Sequence, residues 1–374
     1  MDLNLVKNKL PTTPAFIVDE KVITTNLIQL FELKKQAACH VLYSIKALPL
    51  APVLKLAKNY CDGFSVSSLN EARLAKEILA DKGTIHITTP GLRDNEFGEI
   101  TDLCSHISFN SISQYQRLLS PDICNTSIGV RVNPKLSFVN DLRFDPCRPY
   151  SKLGMDFDEV PETIDGLHFH TVFSNTDLQS LEKTLDKVKD KLGRQFKRLK
   201  WLNLGGGYLF HTIKDHQPFI KLVQQLKKQY DIDVFIEPGK GVVGNAGYIV
   251  TTVIDCFISD GKQIAVLDTS VNHNPEVFEY QKQPELFEAE QGGKYSCVLV
   301  GSSCLAGDVF GEYQFNKMPV IGDRLVFLDV GAYSLIKANK FNGYDLPDVY
   351  LLGADNKLTL YKQSTYQDYR QQWI

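Results

Sequence analysis

Eight short apolar runs, separated by amphipathic stretches, occupy the sequence between about residues 40 and 240. They are HVLYSIKA (40–47), DGFSVSS (62–68), TIHITTP (84–90), HISFNS (106–111), SIGVRVNP (127–134), DGLHFHT (165–171), WLNLGGG (201–207) and DVFIEPG (233–239). Such runs read as strands. Segments between them, such as SLNEARLAKEILAD, TDLQSLEKTLDKVKDKLG and HQPFIKLVQQLKKQY, carry apolar residues at helical spacing with charges on the other face. Ser68 followed by Glu71 reads as a capping box. Strand–helix repeats of roughly 20–35 residues predict an α/β fold, a (β/α)8 barrel.

After about residue 245 the texture changes. YIVTTVIDCFI, KQIAVLD, YSCVLVG, DRLVFLDVG, DVYLLGA and KLTLYK are strand-like and are separated by turns instead of helices. They predict a C-terminal all-β domain. TPAFIVDE (13–20) precedes the first barrel helix, and the barrel is complete without it, so this strand is expected to return to the β domain. The expected division is 22–245 for the barrel and 1–21 with 246–374 for the β-rich domain. A chain of 374 residues exceeds what one hydrophobic core usually serves.

A formal charge of -3 gives no reason to expect nucleic acid or an anionic membrane as partner. No apolar run approaches the roughly 20 residues of a membrane span. MDLNLVKNKLPTTP lacks the layout of a signal peptide, so the expected location is cytoplasmic. The eight cysteines are scattered without a C-x-x-C pair, which disfavours a metal site and suits buried small hydrophobes.

In a barrel of this kind the C-terminal strand ends carry the chemistry. Lys46 ends the first run and His170 the sixth; Gly205, Gly206 and Gly207 end the seventh, and Glu237, Pro238 and Gly239 the eighth. A lysine, a flat aromatic base, a glycine turn and a carboxylate are the parts needed to hold pyridoxal 5'-phosphate. Each has an ordinary alternative. By strand alternation Lys46 shares a face with Leu42 and Ser44; it either snorkels outward or is a desolvated amine suited to Schiff-base chemistry. His168 and His170 are either satisfied core histidines or a platform for a ring. Arg131 either makes a structural ion pair or orients His170 and accompanies a cofactor anion. Glu237 either pairs with a barrel cation or controls protonation of a pyridine nitrogen. In the β domain, GSSCLAGDVF carries Cys304 and Asp308, and DVGAYS carries Tyr333. A thiol can donate a proton, a carboxylate can bind an amine, and a phenol can reach phosphate.

These residues resemble the fold-type III pyridoxal-phosphate enzymes, which join an alanine racemase-like barrel to a β domain and include the ornithine and diaminopimelate decarboxylases. Within that group the chain resembles the carboxynorspermidine decarboxylases along most of its length. The shared segments include SIKA, SSLNEARL, RVNP, GLHFHT, WLNLGGGY, EPGKG, GDRLVFLDVGAYS and KFNG. FDPCRPYSKLGM and GSSCLAGDVFGEYQF are the most specific of them. The resemblance implies that Lys46 carries the cofactor, His170 stacks on its ring and Glu237 pairs with its nitrogen. It places Gly205, Gly206, Gly207, Gly239, Lys240, Gly241 and Tyr333 at the cofactor as well, where Arg131 is also expected from its strand end. Cys304 becomes a proton donor, Asp308 an amine binder, and His273 in SVNHNPEV a neighbour of the substrate. The implied assembly is a homodimer whose partner subunit supplies Cys304 and Asp308.

The chain departs from the family at HTVFSNTD, where Phe173 and Ser174 replace a cysteine–glutamate pair. It departs again at Gly331-Ala332-Tyr333, which lacks a second histidine. The implied reaction is decarboxylation of carboxynorspermidine or carboxyspermidine to norspermidine or spermidine. Alternatives are decarboxylation of diaminopimelate, ornithine, lysine or a siderophore precursor, racemisation, and a non-catalytic cofactor-binding protein. Glu237 argues against a racemase, which this family equips with an arginine at that position.

Overall fold

The first strand, β1 (Ala15–Asp19), does not belong to the barrel that follows it. In this computed structural model, which describes residues 2–80, 82–120 and 125–374, β1 lies inside a separate sheet. Cys124 falls outside the described residues. The chain divides into two compact units, one of residues 24–242 and one of residues 1–23 with 243–374.

The unit of residues 24–242 contains a closed barrel of eight parallel strands. These are β2 (His40–Ser44), β3 (Gly63–Val66), β4 (Thr84–Thr89), β5 (His106–Phe109), β6 (Ser127–Arg131), β7 (Gly166–His168), β8 (Trp201–Asn203) and β9 (Asp233–Ile236). Closure comes from β9 against β2, with His40 opposite Phe235 and Val41 opposite Ile236. All eight runs read as strands form barrel strands. The outer helices bury one face each; Gln179–Leu192, for example, buries Leu181, Leu185, Val188 and Leu192.

Three local differences from the sequence reading have physical causes. First, β2 stops at Ser44, where its pairing with β3 ends, and the chain tightens into a 3-10 turn at Ile45–Ala47. The alternation that would align Lys46 with Leu42 and Ser44 is therefore broken before Lys46. Second, the capping box is split. Ser68 Oγ accepts from Glu71 N–H at 3.2 Å, but the Glu71 carboxylate reaches one residue further back and accepts from Ser67 N–H at 2.7 Å. Third, the connection from β6 to β7 has no α-helix. Residues 132–165 instead form an excursion, held where Val132 bridges Met155 and where Asn110 accepts from Gly154 N–H and donates to the Lys152 carbonyl.

The other unit is built on an eight-stranded sheet in the order β13-β12-β11-β10-β1-β15-β16, with β14 paired to β10. The strands are β10 (Gly247–Ser259), β11 (Lys262–Leu267), β12 (Tyr295–Val300), β13 (Val309–Phe315), β14 (Arg324–Phe327), β15 (Asp348–Leu352) and β16 (Leu358–Lys362). β1 runs antiparallel to β10 and parallel to β15. Its Ala15 and Ile17 sit in a core with Val6, Leu10, Tyr248, Val250, Val326, Tyr350 and Leu352. β13 escaped the sequence reading. It is an edge strand with alternating burial, and Gly311 with Glu312 breaks its apolar run. Among the described residues no helix is long and apolar enough to cross a membrane.

Inside the barrel, His86 stacks on His106 with ring centroids 3.8 Å apart, and Phe235 and Trp201 pack around both. Neither nitrogen of His86 has a hydrogen-bond partner among the described residues. Burial pushes His86 well below the usual imidazole range and takes His106 down to about 4. Both rings are thus neutral in the folded protein, while the unfolded chain protonates them at ordinary values. Between about pH 6.5 and pH 4 the unfolded state binds more protons, so stability is complete above that window and falls as pH falls through it. The urea midpoint followed by tryptophan fluorescence should drop from pH 7 to pH 5. His106→Phe should make that dependence shallower, and an unchanged slope would remove His106 as a contributor.

Candidate active site

The carboxyl ends of the barrel strands surround a cavity of about 470 Å³. Lys46, Ser65, Ser67, Thr88, Arg131, His168, His170 and Glu237 line it from the strand ends. Phe144, Asp145, Arg148 and Lys152 line it from the β6–β7 excursion.

Lys46 is solvent-accessible, but what it opens onto is this cavity. Protein atoms crowd its amine, and desolvation lowers its pKa; Glu237 and Glu71 oppose that shift and Arg131 adds to it. Burial is also the main reason that Arg131 falls to about 10, with Glu237 opposing. The 3-10 turn presents Lys46 from a rigid base, because Ser44 N–H is bound to the Pro238 carbonyl at 3.0 Å.

Glu237 is buried at 6% exposure and held from two sides. Its Oε1 accepts from Asn203 Nδ2 at 2.7 Å, and its Oε2 stands 3.7 Å from His168 Nε2. Burial keeps His168 neutral, so that second contact is not a salt bridge. His168 Nδ1 is hydrogen-bonded to Thr88 Oγ1 at 3.0 Å. Asn203 also accepts from Gly205 N–H at 2.9 Å, and so joins the carboxylate to the glycine turn.

His170 is oriented by that turn, since Gly206 N–H donates to its Nδ1 at 3.1 Å. Burial, reinforced by Arg131 and Lys46, pushes His170 well below its ordinary range. A neutral ring that accepts at Nδ1 carries its proton on Nε2. Gly205 has φ +70, and a Cβ on Gly206 would lie 2.2 Å from the Glu237 carbonyl oxygen. Both positions require glycine. Gly239, Lys240 and Gly241 follow β9, and Lys240 Nζ lies 5.6 Å from the centre of the Phe173 ring. Phe173 stacks on Phe144 at 5.2 Å, which places one departure from the expected pattern against the cavity wall. Ser174 beside it has φ 49 and a buried hydroxyl.

The remaining candidates lie in the unit containing the eight-stranded sheet. Cys304 is the exposed thiol among the described free cysteines. Asp308 is 3% exposed, and its carboxylate accepts from Val271 N–H and from both the amide and hydroxyl of Ser303. His273 is buried, bonded through Nδ1 to Thr269 Oγ1 at 3.0 Å, and lowered by burial to about 4. Tyr333 follows Gly331 and Ala332 with φ 64, and burial pushes its phenol up to about 12.

Sequence reasoning missed Asn203 and Asp145. A polar residue inside a three-residue barrel strand was the available signal for Asn203. Asp145 binds Cys147 N–H through Oδ1, while its buried Oδ2 has no hydrogen-bond partner among the described residues. No spacing rule anticipates it.

The donor set fits pyridoxal phosphate. An amine of lowered pKa, a neutral ring fixed by backbone and a buried carboxylate meet in one cavity beside a turn that only glycine permits. Comparison with known proteins agrees. The family model described as "Pyridoxal-dependent decarboxylase, C-terminal sheet domain" matches residues 16–331. The chain belongs to the pyridoxal-dependent decarboxylases. It is 35% identical to a carboxynorspermidine/carboxyspermidine decarboxylase of Campylobacter jejuni, over 96% of this chain and 97% of that one. It is 32% identical to a carboxyaminopropylagmatine decarboxylase of Synechocystis, over 98% of both. The crystal structure of carboxynorspermidine decarboxylase complexed with norspermidine from C. jejuni superposes with a TM-score of 0.87 at 32% identity, covering 96% of this chain and all of that one.

Asn203→Ala should leave Glu237 Oε1 and the Gly205 amide without their shared partner. The expected cost is roughly tenfold in affinity for pyridoxal phosphate, measured by reconstituting apoenzyme. Unchanged affinity would show that Asn203 only fills space.

Proposed function

We propose that this protein decarboxylates carboxynorspermidine, carboxyspermidine or both, releasing CO₂ and the corresponding triamine. The observation that carries the reading is Lys46, a desolvated amine facing the same cavity as Glu237 and His170, in a chain whose full-length relatives include carboxynorspermidine/carboxyspermidine decarboxylases.

Lys46 would hold the cofactor aldehyde and later receive it back. His170 would lie flat against the ring, with its orientation set by Gly206. Gly205, Gly206, Gly207, Gly239, Lys240 and Gly241, together with Tyr333, would serve the phosphate, and Glu237 would hold a proton on the ring nitrogen. When bound, pyridoxal phosphate supplies the electron-accepting ring that allows the bond from Cα to the carboxylate to break. Arg131 lines the same cavity as Glu237, and the carboxylate's charge would favour the guanidinium there. Cys304 would deliver its thiol proton to the substrate Cα after CO₂ leaves, with Lys46 as the alternative donor. His273 would lie near the substrate. The assembly proposed is a homodimer in which Cys304 serves the partner's barrel.

A second substrate has its own support. The Synechocystis relative, similar over the full length, is named for a carboxyaminopropylagmatine substrate, which makes a guanidino tail a real competitor to an amine. CO₂ release from carboxynorspermidine, carboxyspermidine, carboxyaminopropylagmatine, diaminopimelate, ornithine and lysine separates these. The carboxylated polyamines should give the highest kcat/KM, and a preference for diaminopimelate or ornithine would overturn the substrate assignment.

Lys46→Ala should abolish the visible absorbance of bound cofactor and reduce turnover by about a thousandfold or more. Cys304→Ala should keep the absorbance and lose correct product. Mixed and reassociated, the two inactive variants should recover about a quarter of wild-type activity, because half the dimers are hybrid and each hybrid holds one intact site. No recovery despite proven subunit exchange would mean that each chain completes its own site.

A further inference from the structure

We propose that Asp308 is a positioning residue: its buried carboxylate ties the turn carrying Cys304 to the turn carrying His273, and it is not the ligand of the substrate amine. The role of Cys304 as proton donor rests on the function proposed above, whereas the tie itself does not.

The carboxylate is committed to its own unit. Oδ1 accepts from Val271 N–H at 2.8 Å, on the segment that leads into His273. Oδ2 accepts from Ser303 N–H at 3.0 Å and from the Ser303 hydroxyl, immediately before Cys304. The backbone repeats the connection. Gly301 N–H binds the Asp308 carbonyl at 2.8 Å, Asp308 N–H binds the Leu305 carbonyl at 2.9 Å, and Ser302 N–H binds the Thr269 carbonyl at 3.0 Å. A Cβ on Gly301 would lie 2.1 Å from Asp308 Oδ1, so glycine is what admits the carboxylate. From the other side, Cys304 N–H donates to Asn342 Oδ1 at 2.8 Å. Cys304 is thereby fixed through the amides of Ser303 and its own residue, while its thiol stays exposed.

Charge-assisted bonds to backbone N–H groups are among the stronger tethers available to a buried anion. These bonds take three of the carboxylate's roughly four acceptor positions, and at 3% exposure the remaining one offers little access to an incoming amine. Recognition of the substrate's distal cation therefore falls to other groups, and loss of Asp308 should be felt at the thiol.

The test uses full-length holoenzyme carrying Asp308→Asn, whose amide NH₂ would oppose an N–H donor, and Ser303→Ala, which removes a single hydroxyl bond. Both are compared with wild type for cofactor absorbance, for kcat and KM on the preferred substrate, and for the alkylation rate of Cys304, assigned by its absence in Cys304→Ser. With absorbance retained, Asp308→Asn should lower kcat about tenfold, keep KM within about twofold and change Cys304 alkylation by about fivefold or more. Ser303→Ala should shift kcat and alkylation in the same sense by less. A KM raised about tenfold, with kcat and alkylation unchanged, would make Asp308 a direct amine ligand and overturn the proposal. If Asp308→Asn fails to fold, the alkylation rate of Ser303→Ala decides, and an unchanged rate counts against the tie. If Cys304→Ala forms product normally, the proton-donor reading fails, while alkylation and KM still decide the role of Asp308.

Discussion

A carboxylate buried among cations is the constraint around which the barrel mouth is arranged. Glu237 occupies a site where an isolated charge would be strongly disfavoured, and the protein answers with Asn203, Arg131 and Lys46. None of these neutralises it completely. Arg131 is itself desolvated, and His168, the closest basic ring, is neutral. An anion in that condition favours a positive nitrogen placed against it, as the chemistry of a protonated pyridine requires.

The same contacts explain why the glycine turn and the carboxylate belong to adjacent strands. Asn203 binds Glu237 with its amide nitrogen and Gly205 with its amide oxygen, and the next amide of the turn orients His170. His170, the glycine turn and Glu237 are therefore parts of one hydrogen-bonded assembly at the ends of β7, β8 and β9. Lys46 is added across the closure of the barrel, where β2 meets β9.

Much of this arrangement was legible in the chain. Eight strands appear where apolar runs alternate with amphipathic segments, because a parallel barrel buries both strand faces and leaves a simple signature. Lys46, His170, Gly206 and Glu237 were legible because they stand at strand ends, where the fold directs its chemistry. Other features were not legible. β13 hides because an edge strand needs only one buried face, and Gly311 interrupts even that pattern. The 3-10 turn at Ile45–Ala47 depends on where pairing stops, which is a property of the neighbouring strand. The commitments of Asp308 depend on amides distant from it in sequence, and residue type alone does not distinguish a free carboxylate from one already occupied.

The absence of an α-helix between β6 and β7 has an evolutionary consequence. A helix packed on a barrel is constrained along its whole inner face, so each change must suit several neighbours. Residues 133–154 are instead slung between a bridge at Val132–Met155 and the side chain of Asn110, like a hammock on two hooks. Its interior, including Phe144, Asp145, Arg148 and Lys152, can be rewoven while both hooks stay in place and the ring of strands stays closed. A scaffold with one wall hung this way can change what its cavity accepts without rebuilding the strand ends that face it.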